Sequence, residues 1–255
     1  MNISISHDIN DNSIKIVELN KPKLKNAFNP EMIAEITDTF KKLSADKTVR
    51  AVVLKGAGTA FCAGADLNWM KSMVNFSFDQ NIKDSEKLWE MFEAITLCEA
   101  PVIGLIHGAA FGGALGLIAA CDYAIADEAT KFCFSEVKLG LSPAVISSFI
   151  LRKCSDGQVR PFMLSAEVFD TKTAQRLGLV HVIKNLDDGL TEARKFSGLG
   201  LEAIRETKKL LNTIEISKAG SSWAKQKKLT TTVISERRMS KEGQELLKAF
   251  LSKSK

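Results

Sequence analysis

The stretch Gly104-Leu105-Ile106-His107-Gly108-Ala109-Ala110-Phe111-Gly112-Gly113-Ala114-Leu115-Gly116-Leu117-Ile118-Ala119-Ala120-Cys121-Asp122 decides how the rest of the chain is read. The apolar run Pro101–Ile106 leading into it is rich in β-branched residues, and Pro101, lacking an N–H, can only open it, so it predicts a short buried strand. A glycine-rich turn follows. From Gly113 to Cys121 the residues are small and apolar without a break, too long for a strand and too short to cross a bilayer, which predicts a buried helix. Strand, turn and helix in this order aim the free N–H groups of the first helical turn, backed by the positive end of the dipole, at whatever lies in front of them. That suits an anion. Gly112, Gly113 and Gly116 equally permit close helix packing, and the stretch alone leaves both readings open.

Working outward, Ile3–Leu19 alternates apolar and polar residues around Asn10-Asp11-Asn12, the pattern of a hairpin. A basic loop, 21–29, precedes Asn29-Pro30, an N-cap and first helical position, after which Met32, Ile33, Ile36, Phe40 and Leu43 recur at helical spacing to about Ser44. Ala51–Gly56 predicts a buried strand, and Gly58–Leu67 a loop directly after it. Residues 68–85 follow no clean period and read as an apolar-faced loop or helix, and a clear helical pattern resumes from Lys87 to Leu97. Further strands are expected at Tyr123–Ala126 and Lys131–Phe134, then helices at 144–154, 171–177, 188–197, 201–214, 219–238 and 241–252. The alternation predicts an α/β fold, divided into a core at 1–195 and a C-terminal helical region at 196–255.

The chain has 255 residues, 45% apolar and 25% charged, the balance of a folded globular protein. The N-terminus lacks the basic and apolar regions of a secretory signal, and no stretch is long enough to span a membrane, so a cytoplasmic location is expected. Five scattered cysteines, Cys62, Cys98, Cys121, Cys133 and Cys154, predict reduced, buried thiols. The net charge of +5 is uneven: Arg205–Lys255 carries 13 Lys+Arg against 5 Asp+Glu, a balance of +8, which leaves −3 for residues 1–204. Such a segment can meet nucleic acid, an acidic membrane or a phosphorylated small molecule, or be a solvated helical face.

With three histidines and no His-Glu-x-x-His, Gly-x-Ser-x-Gly or Cys-x-x-Cys, metal and triad mechanisms have little to work with, and no dinucleotide or phosphate loop is complete. What remains is two glycine-rich loops, each following a buried strand, and one carboxylate, Glu136, after another. Set side by side, the loops can converge two N–H groups on one carbonyl oxygen, an oxyanion hole whose donors are each worth ~2.7–4 kcal/mol. Glu136, its pKa raised by desolvation, can then move a proton at the adjacent carbon, or it can simply pair with Lys138 at the surface.

Phe61-Cys62-Ala63-Gly64-Ala65-Asp66-Leu67, His107–Ala114, Cys121-Asp122 and Phe134–Pro143 together resemble the enoyl-CoA hydratase/isomerase (crotonase) family over essentially the whole chain. The resemblance implies a spiral of ββα units with a C-terminal helical region that builds a trimer, or a hexamer of two trimers. It implies an oxyanion hole from the N–H groups of Ala65 and Gly113, with Glu136 as the proton-transfer group. It places the acyl-CoA substrate on Lys23, Lys25, Ala63, Ala65, Asp66, Leu67, Gly112, Gly113 and Pro143, with Lys241 and Phe250 reaching in from a neighbouring subunit. No metal is implied, and no cofactor beyond the CoA of the substrate; membrane and nucleic-acid partners are not expected.

The family's hydratases carry a second glutamate three positions after the oxyanion-hole glycine, where this chain has Gly116. A single carboxylate suits an isomerase that shuttles a proton between two carbons. Yet Asp66–Met73, Gly116–Asp122 and Leu139–Ser147 resemble bacterial methylglutaconyl-CoA hydratases of leucine degradation, in which a glycine there is usual. The expected reaction is therefore hydration of a branched, carboxylated 2-enoyl-CoA, with a Δ3–Δ2 isomerase as the alternative and RNA binding through the basic segment as the non-enzymatic one. A cation is expected to pair with the distal carboxylate, and Lys71, Arg152 and Arg160 are candidates by residue type.

Overall fold

The computed structural model describes residues 2–218 and 222–253. β1 (Ile3–Asp8) and β2 (Asp11–Leu19) form the expected hairpin, its turn at Ile9-Asn10. α1 (Pro30–Ala45) starts where the Asn29 side chain accepts the Met32 N–H, and it leads to β3 (Ala51–Gly56). Next come α2 (Leu67–Met73), α3 (Phe78–Thr96), β4 (Val102–Ile106), β5 (Ala109–Phe111) and α4 (Gly113–Ala120). β6 (Tyr123–Ala126) and β7 (Lys131–Cys133) precede α5 (Ala144–Ile150) and α6 (Asp156–Ser165). β8 (Phe169–Asp170), α7 (Thr171–Arg176), β9 (Val182–Ile183), α8 (Leu186–Ser197), α9 (Leu201–Lys218), α10 (Trp223–Met239) and α11 (Lys241–Lys253) complete the chain.

Six strands form one sheet in the order β1-β2-β3-β4-β6-β9, and β5, β7 and β8 form a second. From β2 to β9 the pairing in the large sheet is parallel, with Val52 opposite Val102 and Ile103 opposite Tyr123. Parallel strands covered on both faces need apolar residues at every position, which is why Ala51–Leu54 and Val102–Ile106 read as unbroken runs. Val52, Leu54 and Val102 pack into the main core with Ile36, Phe40 and Phe92; Ala51, Val53 and Ile103 face the opposite side, against Ala193 of α8.

Several local expectations change. The glycine-rich turn after β4 contains a three-residue strand, β5, which pairs with β7, Ala109 opposite Lys131. α3 begins nine residues before Lys87. Its start is a capping box, the Ser77 hydroxyl accepting the Gln80 N–H while the Gln80 amide accepts the Ser77 N–H. Its first turns are polar on the inner face because Asn81 and Ser85, both fully buried, pack toward α10, and this hides the helical period. The helix expected at 144–154 stops at Ile150, and α6 follows, disguised in sequence by Pro161 within it. Of the helix expected at 219–238, residues 219–221 lie outside the described residues, and α10 runs from Trp223.

The C-terminal helices are tied to the core by charge. Lys208 meets Asp122 at 2.6 Å, Arg205 meets Glu99 at 3.0 Å, Lys227 meets Glu90 at 2.9 Å and Arg238 meets Asp84 at 2.8 Å. Much of the charge asymmetry seen in sequence is thus spent on pairs between the two halves. All five cysteines are free and buried. Replacing Ser77 with Ala removes the N-cap of α3 and is expected to lower stability by about 1 kcal/mol in a urea denaturation series, with Gln80→Ala giving a similar loss.

Candidate functional site

β3 and β4 are parallel neighbours, so the segments that leave their C-terminal ends emerge side by side. The first is the loop from Ala57 to Asp66 and the second runs through β5 to Gly113. A bridge between Cys62 and Ala110, with Cys62 N–H donating to Ala109 C=O and Phe111 N–H to Cys62 C=O, locks one to the other. Gly64 sits at φ +89°, where a Cβ would lie 2.7 Å from the Phe111 carbonyl oxygen and 3.8 Å from the Gly113 nitrogen. Only glycine permits this approach. It brings Ala65, the next residue, beside the first residue of α4. Neither the Ala65 nor the Gly113 N–H finds an acceptor among the described residues. Two unspent backbone donors therefore stand together, one of them at a helix start.

A cavity of about 770 Å³ opens in front of them. Glu136 enters it from the short 3₁₀ turn Glu136–Leu139, and its Oε1 lies 3.6 Å from where a Cβ on Gly112 would sit. Its Oε2 is buried without a hydrogen-bond partner, and loss of water pushes the carboxyl up to about 7 from an ordinary 4.5. The alternative of a surface pair with Lys138 is not seen among the ion pairs of the described residues. A carboxyl that titrates near neutrality beside two free N–H groups can take a proton and return it.

Of the residues expected at the site, Lys23, Lys25, Ala63, Ala65, Asp66, Leu67, Gly112, Gly113, Glu136, Pro143 and Phe250 all line this cavity. Lys25 is held in the left-handed region at φ 48°, and Ala63 N–H donates to its carbonyl. Asp66 is occupied: its carboxylate caps α2 by accepting the Asn68 and Trp69 N–H groups and lies 3.7 Å from the Lys21 ammonium. Phe250 of this same chain lines the cavity, because α11 folds back on α2 and the 3₁₀ turn that carries Glu136.

Other expectations change. Lys241 is exposed, 4.0 Å from Glu245, and does not line the cavity of its own chain. Gly116 is buried and does not itself line the cavity; a Cβ there would lie 2.7 Å from Phe92 Cζ and from Ile146 Cγ2, the latter a lining residue. A side chain at this position requires Phe92 and Ile146 to shift. Arg152 lies over the Trp223 ring and donates to Asn212, and Arg160 pairs with Asp156 on the surface; of the three cation candidates only Lys71 lines the cavity. Two residues escaped sequence reading. Asn26, fully buried at φ 56°, donates to the carbonyls of Ala57 and Ala60 at 2.8 Å and accepts the Lys21 N–H at 2.9 Å, joining the basic loop to the first oxyanion loop. Arg238 of α10 reaches the cavity wall from far along the chain. Neither carries a local motif.

The enoyl-CoA hydratase/isomerase family model matches residues 9–255. A Thermus thermophilus relative bearing an enoyl-CoA hydratase name is 31% identical over 202 residues, 78% of this chain and 80% of its own. The enoyl-CoA hydratase ACTT6 of Alternaria alternata is 35% identical over 69% of this chain, which spans only 56% of that longer relative. The crystal structure of an enoyl-CoA hydratase from Shewanella pealeana is 35% identical and superposes with a TM-score of 0.81, covering 99% of this chain and 94% of its own.

Adding one methyl at Gly116 is expected to cost about 1–3 kcal/mol by overpacking, and Phe92→Leu in the same chain to recover part of it; thermal unfolding of the single and double variants checks this.

Proposed function

Because the chain belongs to the enoyl-CoA hydratase/isomerase family, we propose that it adds water across the double bond of a 2-enoyl-CoA thioester. The observation that carries this reading is the unpartnered Glu136 carboxyl, poised near pH 7 beside the free N–H groups of Ala65 and Gly113. The thioester oxygen sits between those two donors. Ionised Glu136 takes a proton from water as its oxygen bonds to Cβ, the double-bond electrons move toward the thioester, and the enolate oxygen is held by the N–H pair. Protonated Glu136 then delivers that proton to Cα, so that one water is added and the carboxylate is restored. With Phe92 and Ile146 filling the space at Gly116, one carboxylate performs both transfers.

Lys23 and Lys25, at the basic loop, suit the phosphates of CoA, and the apolar wall suits the acyl chain. The likeness of Asp66–Met73 and Leu139–Ser147 to methylglutaconyl-CoA hydratases supports a branched substrate of that kind, and with it a place in leucine degradation. A second reading, Δ3–Δ2 isomerisation, draws support from the same single carboxylate. The pairing of Arg205, Lys208, Lys227 and Arg238 with core carboxylates favours acyl-CoA over RNA as the partner. On α9, Leu210, Leu211 and Ile214 are exposed on one side, which supports burial between subunits of a trimer or of a hexamer built from two.

Hydration removes the ultraviolet absorbance of the conjugated thioester, whereas isomerisation of a 3-enoyl-CoA creates it. Loss of absorbance with a panel of 2-enoyl-CoA substrates is the expected result, with kcat/KM rising through an apparent pKa of about 7. Activity that appears only with 3-enoyl substrates would overturn hydration. Glu136→Gln is expected to abolish turnover and leave acyl-CoA binding nearly intact. The raised pKa also has a sign for stability: below 4.5 the carboxyl is protonated folded or unfolded, and as the pH climbs through 7 the buried charge destabilises the fold. The Gln variant should therefore match wild type in denaturation at pH 4 and exceed it at pH 8.

A further inference from the structure

Among the described residues, two side chains of the cavity wall carry a buried polar atom with no hydrogen-bond partner. One is Glu136 at Oε2, and the other is Arg238 at Nε. Arg238 is only 5% exposed. Its Nη1 is committed to α3: it donates to Asp84 Oδ2 at 2.8 Å and approaches Asn81 Oδ1 and Ser85 Oγ at 3.5 Å. Asp84 is in turn committed, since its Oδ1 accepts the Trp69 indole N–H at 3.0 Å. The guanidinium is thus clamped from one side, and its Nε donor is unspent. Leu88, Met73, Ile146 and Ile234, which line the same cavity, offer it no acceptor. A buried donor left unpaired costs about 1–3 kcal/mol, more for a charged group, so this wall is unfavourable for an acyl chain that ends in hydrocarbon.

α10 packs on α3 and α5, so Arg238 stands on the apolar wall built by Leu88, Ile146 and Ile234. Phe28 packs over Gly113, where a Cβ would be 2.5 Å from its Cζ; Phe28 and Trp69 are ring neighbours at 6.1 Å; Trp69 bonds Asp84, and Asp84 bonds Arg238. This chain of contacts connects the oxyanion donor to the guanidinium. Lys23 and Lys25 belong to the loop at residues 21–29, whereas Arg238 belongs to α10 against α3.

We infer that Arg238 is a specificity-determining residue: its free guanidinium edge receives a carboxylate at the far end of the acyl group, so the site prefers the CoA monothioester of a dicarboxylic acid. The inference rests on the cavity's being an acyl-CoA site and deepens the substrate assignment. A planar carboxylate fits the guanidinium fork in a way a hydroxyl or an alkyl end does not. Asp84 holds the fork's other side and fixes its direction, so little conformational freedom is lost when the ligand binds.

The test compares two saturated thioesters of equal length, glutaryl-CoA and valeryl-CoA, which cannot be hydrated, by calorimetric binding to the full chain. Wild type is expected to bind glutaryl-CoA roughly tenfold more tightly or better, and Arg238→Met to erase or reverse the preference. Because Arg238→Met leaves Asp84 buried and unpaired, the double variant Asp84→Asn/Arg238→Met is measured as well; the affinity ratio does not depend on the fraction folded. Equal affinities in wild type, or an unchanged ratio in both variants, overturn the inference. Hydration of glutaconyl-CoA, the unsaturated dicarboxylic thioester, followed by absorbance in parallel, separates the two claims. Its absence alongside a glutaryl preference lost in both variants sinks hydration and spares Arg238; its presence without the preference does the reverse.

Discussion

The parallel pairing of β3 with β4 is the constraint on which the site depends. Parallel neighbours send their exits to the same edge of the sheet, so two loops far apart in sequence must pass each other there. Their crossing is bound by the Cys62–Ala110 bridge and is close enough that Gly64 has no room for a side chain. The result is a pair of N–H groups with no acceptor, held by a sheet that is buried on both faces. A flexible loop would turn these donors back on itself; a rigid one leaves them for a ligand.

Glu136 follows the same logic with the opposite charge. An unpaired buried carboxyl destabilises a fold, and a protein that retains one gives up stability for a group whose proton is available near neutral pH. Arg238 is a third case, a buried cation given one partner and denied another. Asp66, on the cavity wall, is by contrast satisfied as the cap of a helix, and Asn26 nearby spends its amide on the loop carbonyls.

The C-terminal helices do more than cover the core. α10 supplies Ile234 and Arg238, and α11 supplies Phe250, to a cavity whose reacting groups come from the first half of the chain. Ion pairs from Arg205, Lys208, Lys227 and Arg238 to core carboxylates fasten them there, several with a buried partner that would be costly to leave alone. The basic balance of this segment is thus complementary to the acidic balance of the core.

The buried strand runs, the Asn29-Pro30 helix start, the glycine turns and Glu136 were all legible in sequence, because each rests on local spacing or on a residue type that only one conformation suits. The α/β architecture followed from their alternation. Other features needed the tertiary structure. α3 hid its first turns because Asn81 and Ser85 face inward for Arg238, more than 150 residues away in the chain. The crowding of Gly116 by Phe92 and Ile146 is invisible in sequence, and Asn26 looked like an ordinary loop residue until its three carbonyl partners came into view. Local sequence determines what a segment can become, since propensity, capping and turn geometry act within a few residues. Which polar groups find partners, and which are left for a substrate, is decided only when distant segments pack together.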